Sequence, residues 1–168
     1  MICCAMEGTR PLLVEVQALV APTEIVPPRR TATGVDRNRL ALVLAVLARH
    51  AGIGLSAADV FVNVAGGVRV DEPGADLAIA LAVASAHTGR PLEADGKPLA
   101  CFGEVGLTGE LRYVAHADLR VGEARKFGLH RVLAPPPAEG SIPGLTSADT
   151  LAEALRAAGT KRRLREAA

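Results

Sequence analysis

A chain of 168 residues, 49% hydrophobic and 22% charged, is long enough to bury one core without disulfides or metals and too apolar to be disordered. Its 19 basic and 18 acidic side chains leave a net charge of +1, so no whole-molecule field draws it to nucleic acid and any such face must be local. The longest apolar run, around Leu77 to Ala84, falls far short of the roughly 18 to 20 residues that cross a bilayer, and no basic-then-apolar leader opens the chain; the expectation is a cytoplasmic protein with no membrane partner.

In chain order, ICCAMEGTRPLLVEVQALV predicts two extended segments around a turn at Glu7 to Pro11. Val14, Val16, Ala18 and Val20 mark one buried face. The proline-rich APTEIVPPRRTATG is aperiodic and is expected to be an ordered loop. Asp36 caps a helix through about Arg49, with Leu40, Val43, Leu44 and Leu47 on one stripe and Gly52 past its end. DVFVNVAGGVRV predicts a strand with Phe61 opposite Val60 and Val62. Pro73 then suits the first turn of a helix, Ala75 to His87, that is apolar nearly all round and therefore buried on most sides.

LACFGEVGLTGELRYV predicts two short strands joined at a glycine turn. Leu119 to Phe127 predicts a helix closing at Gly128, and HRVLAPPP a strand stopped by prolines. Thr150 and Glu153 fit a capping box for LAEALRAAG, and KRRLREAA is a charged tail. Strands and helices alternate without an internal repeat, so the class is α/β or α+β in one domain. The three cysteines, Cys3, Cys4 and Cys101, lack the spacing of a zinc site or a disulfide framework and read as buried, reduced thiols.

The strand-to-helix corner at Asp71 to Ala78 has the shape of a nucleophile site, where amides at a helix start stabilise negative charge. No Ser, Cys or Thr stands there. Asp71, Glu72 and Asp76 fall within one turn of the corner; they can cap the helix, hold Mg²⁺ or act as acid and base, and capping is the expected role. No phosphate loop is present: Gly66-Gly67 and the glycines from Gly103 lack the lysine and hydroxyl it needs. The four histidines, His50, His87, His116 and His130, lie in separate elements. Arg29, Arg30, Arg37, Arg39, Arg125 and Lys126 are the candidates for DNA phosphate. With one Tyr, three Phe and no Trp, a stacking platform for single strands is not expected.

Asp71-Glu72-Pro73-Gly74-Ala75-Asp76-Leu77-Ala78, Thr88-Gly89-Arg90-Pro91 and the run GEVGLTGEL from Gly103 resemble the proteolytic domain of the Lon family from about Val35 to Pro135. That resemblance implies the Lon-protease-type fold, a mixed sheet packed with helices. It also places the family's serine and lysine on Gly74 and Arg120. Glycine carries no nucleophile and arginine stays protonated, so neither member of the dyad is kept, and Asp76 stands near where an oxyanion would form. Arg120, at the former lysine position, is expected to pair with Asp76 or Asp71 and stabilise the former site.

MEGTRPLLVEVQALV, GVDRNRLALVLAVL, DVFVNVAGGVRVDEPGADLAIALAVASA, FGEVGLTGELR and TLAEALRAAG together resemble the C-terminal domain of the bacterial RadA (Sms) family. The implied layout is a Lon-like domain over residues 1–158 with an N-terminal hairpin at 2–20 and a charged tail at 159–168. The resemblance further implies a DNA repair and recombination ATPase that forms a hexameric ring, moves branched or duplex DNA and meets recombinase filament proteins through its full length. Its zinc finger and ATPase, with Zn, ATP and Mg, are absent from this sequence, which is expected to be a C-terminal fragment that needs no cofactor itself. The expected role is a non-catalytic scaffold. The rivals are a peptidase using Ser85 or Thr108 with Lys126, and a purely protein-binding oligomerisation domain.

Overall fold

The computed structural model describes residues 1–94 and 96–159; the charged tail from residue 160 onward lies outside the described residues. The chain opens as expected with an antiparallel hairpin, β1 (Ile2–Glu7) and β2 (Arg10–Pro22), in register from Ile2 opposite Glu15 to Glu7 opposite Arg10. Val14 and Val16 turn inward while Glu15 and Gln17 face water, the two-residue alternation of a strand.

The segment expected to be only a loop contains β3 (Arg30–Thr33), a parallel edge strand beside β4 (Ala58–Val64). Its hydrogen bonds come from β4 and not from any pattern of its own, so tertiary pairing overrides weak local preference. Between them α1 (Arg37–Ala51) starts where Asp36 accepts from the Arg39 amide and ends at Gly52; the expected stripe, with Val46 added, is buried. After β4 the chain makes a single turn at Ala65–Gly67, so the strand expected to continue to Val70 ends early.

A further turn, Pro73–Ala75, leads into α2 (Asp76–Thr88), whose residues from Asp76 to Ala84 are all buried. A small hairpin, β5 (Glu93–Ala94) with β6 (Lys97–Pro98), precedes β7 (Ala100–Cys101). The glycine turn joins β8 (Glu104–Val105) to β9 (Leu111–Arg112). Next come α3 (Ala117–Lys126), β10 (Val132–Ala134), β11 (Leu145–Ser147) and α4 (Leu151–Ala157). The capping box forms in part: Thr150 Oγ1 accepts from the Glu153 amide at 3.2 Å, but Glu153 Oε2 accepts from the Asp149 amide at 2.9 Å and not from Thr150.

The main sheet is mixed, in the order β11-β10-β7-β1-β2-β4-β3. Successive β1 side chains point to opposite faces. Cys3 belongs to the larger apolar cluster with α1, α2 and α4, and Cys4 to a smaller one with Phe102, Val121 and Ala124 beneath α3. α3 packs on β1 and β2; where β2, β4 and β3 run beyond it, Gln17, Leu19, Thr31, Thr33 and Asn63 are exposed.

All three cysteines are free and buried. Burial pushes the Cys4 thiol up to about 12 and raises Cys3 and Cys101 likewise. At pH 8 the native thiolate fraction therefore falls roughly a thousandfold below that of an unperturbed thiol. The native protein is expected to react with a chromogenic disulfide reagent slower than the urea-unfolded chain by about that factor, and equal rates would contradict the burial.

Candidate functional site

The corner before α2 is built where the sheet divides. β7 pairs with β1 only at Ile2–Ala100 and Cys3–Cys101, and the chain then leaves β1 at Gly103. The Gly103 N–H donates to the Gly74 carbonyl at 2.8 Å, and its carbonyl accepts from the Leu77 N–H at 3.0 Å. Gly103 has φ +155, and a Cβ there would stand 2.8 Å from Pro135 Cδ, so glycine is needed at this junction. The start of α2 thus sits in a crevice beyond the end of β7 and beside β1, close to a common place for a site in sheets with parallel strands.

A cleft of about 410 Å³ opens there, lined by Met6, Gly8, Glu72, Pro73, Gly74, Glu104, Val114, Ala115, His116 and Arg120. The two positions singled out in the sequence meet in it: a Cβ built on Gly74 would lie 3.2 Å from Arg120 Nη1 and 3.1 Å from Glu72 Oε2. Glycine here answers a need for space, and that need is set by the Glu72 carboxylate and the Arg120 guanidinium together.

Arg120 is 2% exposed. Its Nη1 and Nη2 donate to the two oxygens of Glu72 at 2.8 and 2.6 Å, its Nε donates to the Ala115 carbonyl at 2.9 Å, and Nη1 also reaches the Cys4 carbonyl at 2.7 Å. Its guanidinium lies 5.3 Å from the Phe102 ring centre, a cation–π contact. The carboxylate partner is Glu72, not Asp76 or Asp71.

The three corner carboxylates do not cap α2, whose N-cap position is Ala75, with no side-chain hydrogen bond there. Each has its own arginine: Asp71 pairs with Arg69 at 2.7 Å, Glu72 with Arg120, and Asp76 with Arg39. Asp76 is fully buried beside a second cavity of about 230 Å³ and also accepts from the Val105 N–H at 3.0 Å. Burial raises its pKa, against the hydrogen bonds from Arg39 that pull it down. Its charge is thus directed at Arg39 and Val105 and is spent in holding α1, α2 and β8 together. Among the described residues no group of His, Cys, Asp and Glu is placed to hold a metal ion.

The rival nucleophiles lie elsewhere. Ser85 Oγ donates to the Arg90 carbonyl at 2.6 Å, Thr108 Oγ1 to Glu110 Oε2, and Lys126 Nζ to Glu123 Oε2 at 2.8 Å. Each makes a local structural bond.

Most of the candidate basic residues are likewise engaged. Arg29 pairs with Asp59 at 2.5 Å and lies over Phe61. Arg30 donates to the Leu55 carbonyl at 2.6 Å and to Ala58. Arg39 is held by Asp76, Arg125 donates to the Pro143 carbonyl, and Lys126 pairs with Glu123. Arg37 alone of the six has no side-chain partner among the described residues. It stands exposed in the first turn of α1, which carries no acidic residue, so its charge adds to the positive helix end.

Two further carboxylates, buried Asp59 and half-buried Glu110, are held low. Hydrogen bonds from Arg29 lower Asp59, and a hydrogen bond from Thr108, then its own backbone and Arg112, bring Glu110 to about 2. For both, the folded pKa lies below the unfolded one, so the stability they add is complete above the unfolded value and is lost as pH falls through the folded value. Asp76, raised by burial, works in the opposite sense. The urea midpoint is expected to hold steady from pH 7 to 5 and to fall between about pH 4.5 and 2, less steeply in an Asp59→Asn variant; an unchanged slope in that variant would remove Asp59 from the account.

The family model described as subunit ChlI of Mg-chelatase matches residues 14–138, well over half of the chain and all of the corner. The chain belongs to this family. The chain is also similar to proteins named DNA repair protein RadA. The relative from Haemophilus influenzae is 54% identical over 129 residues, 77% of this chain and 28% of that protein. The one from Listeria monocytogenes is 44% identical over 163 residues, 94% of this chain and 35% of that protein, and the one from Escherichia coli is 54% identical over 129 residues. This ChlI-family chain therefore spans about a third or less of the length of the curated relatives it matches.

Proposed function

We propose that this chain is the Lon-protease-like C-terminal domain of a RadA-type DNA repair protein, a scaffold without peptidase activity that supports a hexameric ring and touches duplex DNA. The observation that carries the non-catalytic part is the cleft itself. No residue lining it is Ser, Thr, Cys or Lys, and its one strong base-like position holds an arginine that already makes four donor contacts. A nucleophile and a proton acceptor within reach of each other are the minimum for acyl transfer; His116, Glu72 and Glu104 line the cleft, but no hydroxyl, thiol or amine nucleophile does. The DNA repair role rests on the relatives' names, and ATP and zinc chemistry would belong to parts of such a protein outside this sequence.

For DNA contact, Arg37 is the residue of first interest, since its charge is not spent inside the fold. Arg29 comes next: its side chain is 60% exposed although paired. Arg30, Arg39 and Arg125 are bound to the protein's own carbonyls and carboxylates, which favours the second reading, a ring domain that meets only protein. Arg37 with a partly exposed Arg29 in each chain can still suffice when six copies face one duplex.

Sedimentation velocity of the purified chain, with and without a fluorescent duplex at low and moderate salt, separates these readings. A species near six chains that carries duplex and releases it as salt rises supports the scaffold with DNA contact. A ring indifferent to duplex supports the protein-only reading. An Arg37→Glu variant is expected to keep its urea midpoint and to lose duplex affinity roughly tenfold at low salt; unchanged affinity would remove Arg37 from the interface. Cleavage of an unfolded protein substrate by a protease-free sample would overturn the scaffold altogether.

A further inference from the structure

β1 has a strand neighbour along its whole length on the β2 side, but on the β7 side for only two residues. In a parallel ladder the residue after that pairing presents its groups to the same edge, so the Gly103 N–H would next meet the Cys4 carbonyl. It goes to Gly74 instead. The start of α2 wedges the strands apart, and the Cys4 carbonyl and the Met6 N–H are left facing the cleft. Buried backbone groups of this kind must find partners.

Two side chains supply them. Arg120 Nη1 donates to the Cys4 carbonyl at 2.7 Å, Glu72 Oε1 accepts from the Met6 N–H at 2.7 Å, and the pair closes on itself at 2.8 and 2.6 Å. We infer that Glu72 and Arg120 form a clasp that stands in for the missing stretch of strand beside β1. Their donor and acceptor, two residues apart along β1, reproduce the alternation that an extended chain would offer at that edge. The contacts of Arg120 with Ala115 and Phe102 hold the guanidinium in the plane this requires. An ion pair serving only charge balance would have no reason to reach both backbone groups. The clasp does not depend on the DNA repair reading.

Amide hydrogen exchange followed by NMR on the whole chain tests it. In the wild-type protein the Met6 amide is expected to exchange at least a hundredfold more slowly than its intrinsic rate, as an amide with a permanent acceptor does. In Glu72→Ala it is expected to exchange at least tenfold faster than in wild type, while Leu81 in the core of α2 keeps its rate. Glu72→Gln, which retains an acceptor oxygen without the charge, is expected to restore most of the Met6 protection. Wild-type Met6 exchange within tenfold of the intrinsic rate would overturn the clasp whether or not the variants fold. So would a Glu72→Ala protein in which Met6 is unchanged, or in which Met6 and Leu81 speed up by the same factor.

Discussion

Arg120→Ala is expected to cost about 3–5 kcal/mol of folding stability, the cost of leaving one member of a buried ion pair alone. The side chains of Arg120 and Glu72 are 3% and 21% exposed, so water can reach the glutamate only in part. The same substitution strips the Cys4 carbonyl of its partner and removes the cation from Phe102. Against a total stability of roughly 5–15 kcal/mol, this change alone can halve it. Arg120→Lys keeps the charge and is expected to lose less, because an ammonium cannot make the two parallel bonds of the guanidinium. Urea unfolding followed by circular dichroism measures both. A loss under about 1 kcal/mol for Arg120→Ala would mean that the pair is exposed in solution, as surface pairs of that worth are.

Leu81→Ala is expected to cost about 2–5 kcal/mol. Leu81 is 0% exposed, in a helix buried on every side from Asp76 to Ala84. The cost within that range depends on how far the packed core around it can relax into the cavity. Four residues on, Ser85→Ala removes only the bond to the Arg90 carbonyl, worth about 0.5–1.5 kcal/mol. The contrast also tests the rival peptidase, which needs Ser85 for chemistry. Equal losses at the two positions would show that α2 is less closely packed than its burial indicates.

The parts legible in the sequence are those whose signals are local. α1 carried its cap, its stripe and its terminal glycine within sixteen residues or so of one another, and the structure has each of them. α2 declared its burial by being apolar on all sides. β3 did not, because Thr31, Ala32 and Thr33 have no distinctive pattern and are made a strand by β4. β7, β8 and β9 are two residues each, too short for any periodicity. At the corner, Gly74 lies close to Arg120, but the partner of each carboxylate was not readable. Asp71, Glu72 and Asp76 look alike in sequence; Asp71 meets Arg69 two residues away, while Glu72 and Asp76 meet the arginines that α3 and α1 deliver, Arg120 and Arg39. Helix capping, the local expectation, lost to these pairings, two of which join residues far apart in the chain.

β1 lies in the middle of the sheet, between a neighbour that follows within a few residues and one that arrives almost a hundred residues later. The hairpin with β2 can form early from nearby contacts, but the other side of β1 has nothing to join until β7 and then β10 are in place. Loop closure over that distance is paid before the contacts return it. Folding should therefore be limited by the second half of the chain docking onto the first, with apolar β1 side chains waiting uncovered in the meantime. On a ribosome, that interval is time in which a chaperone has a strand to hold.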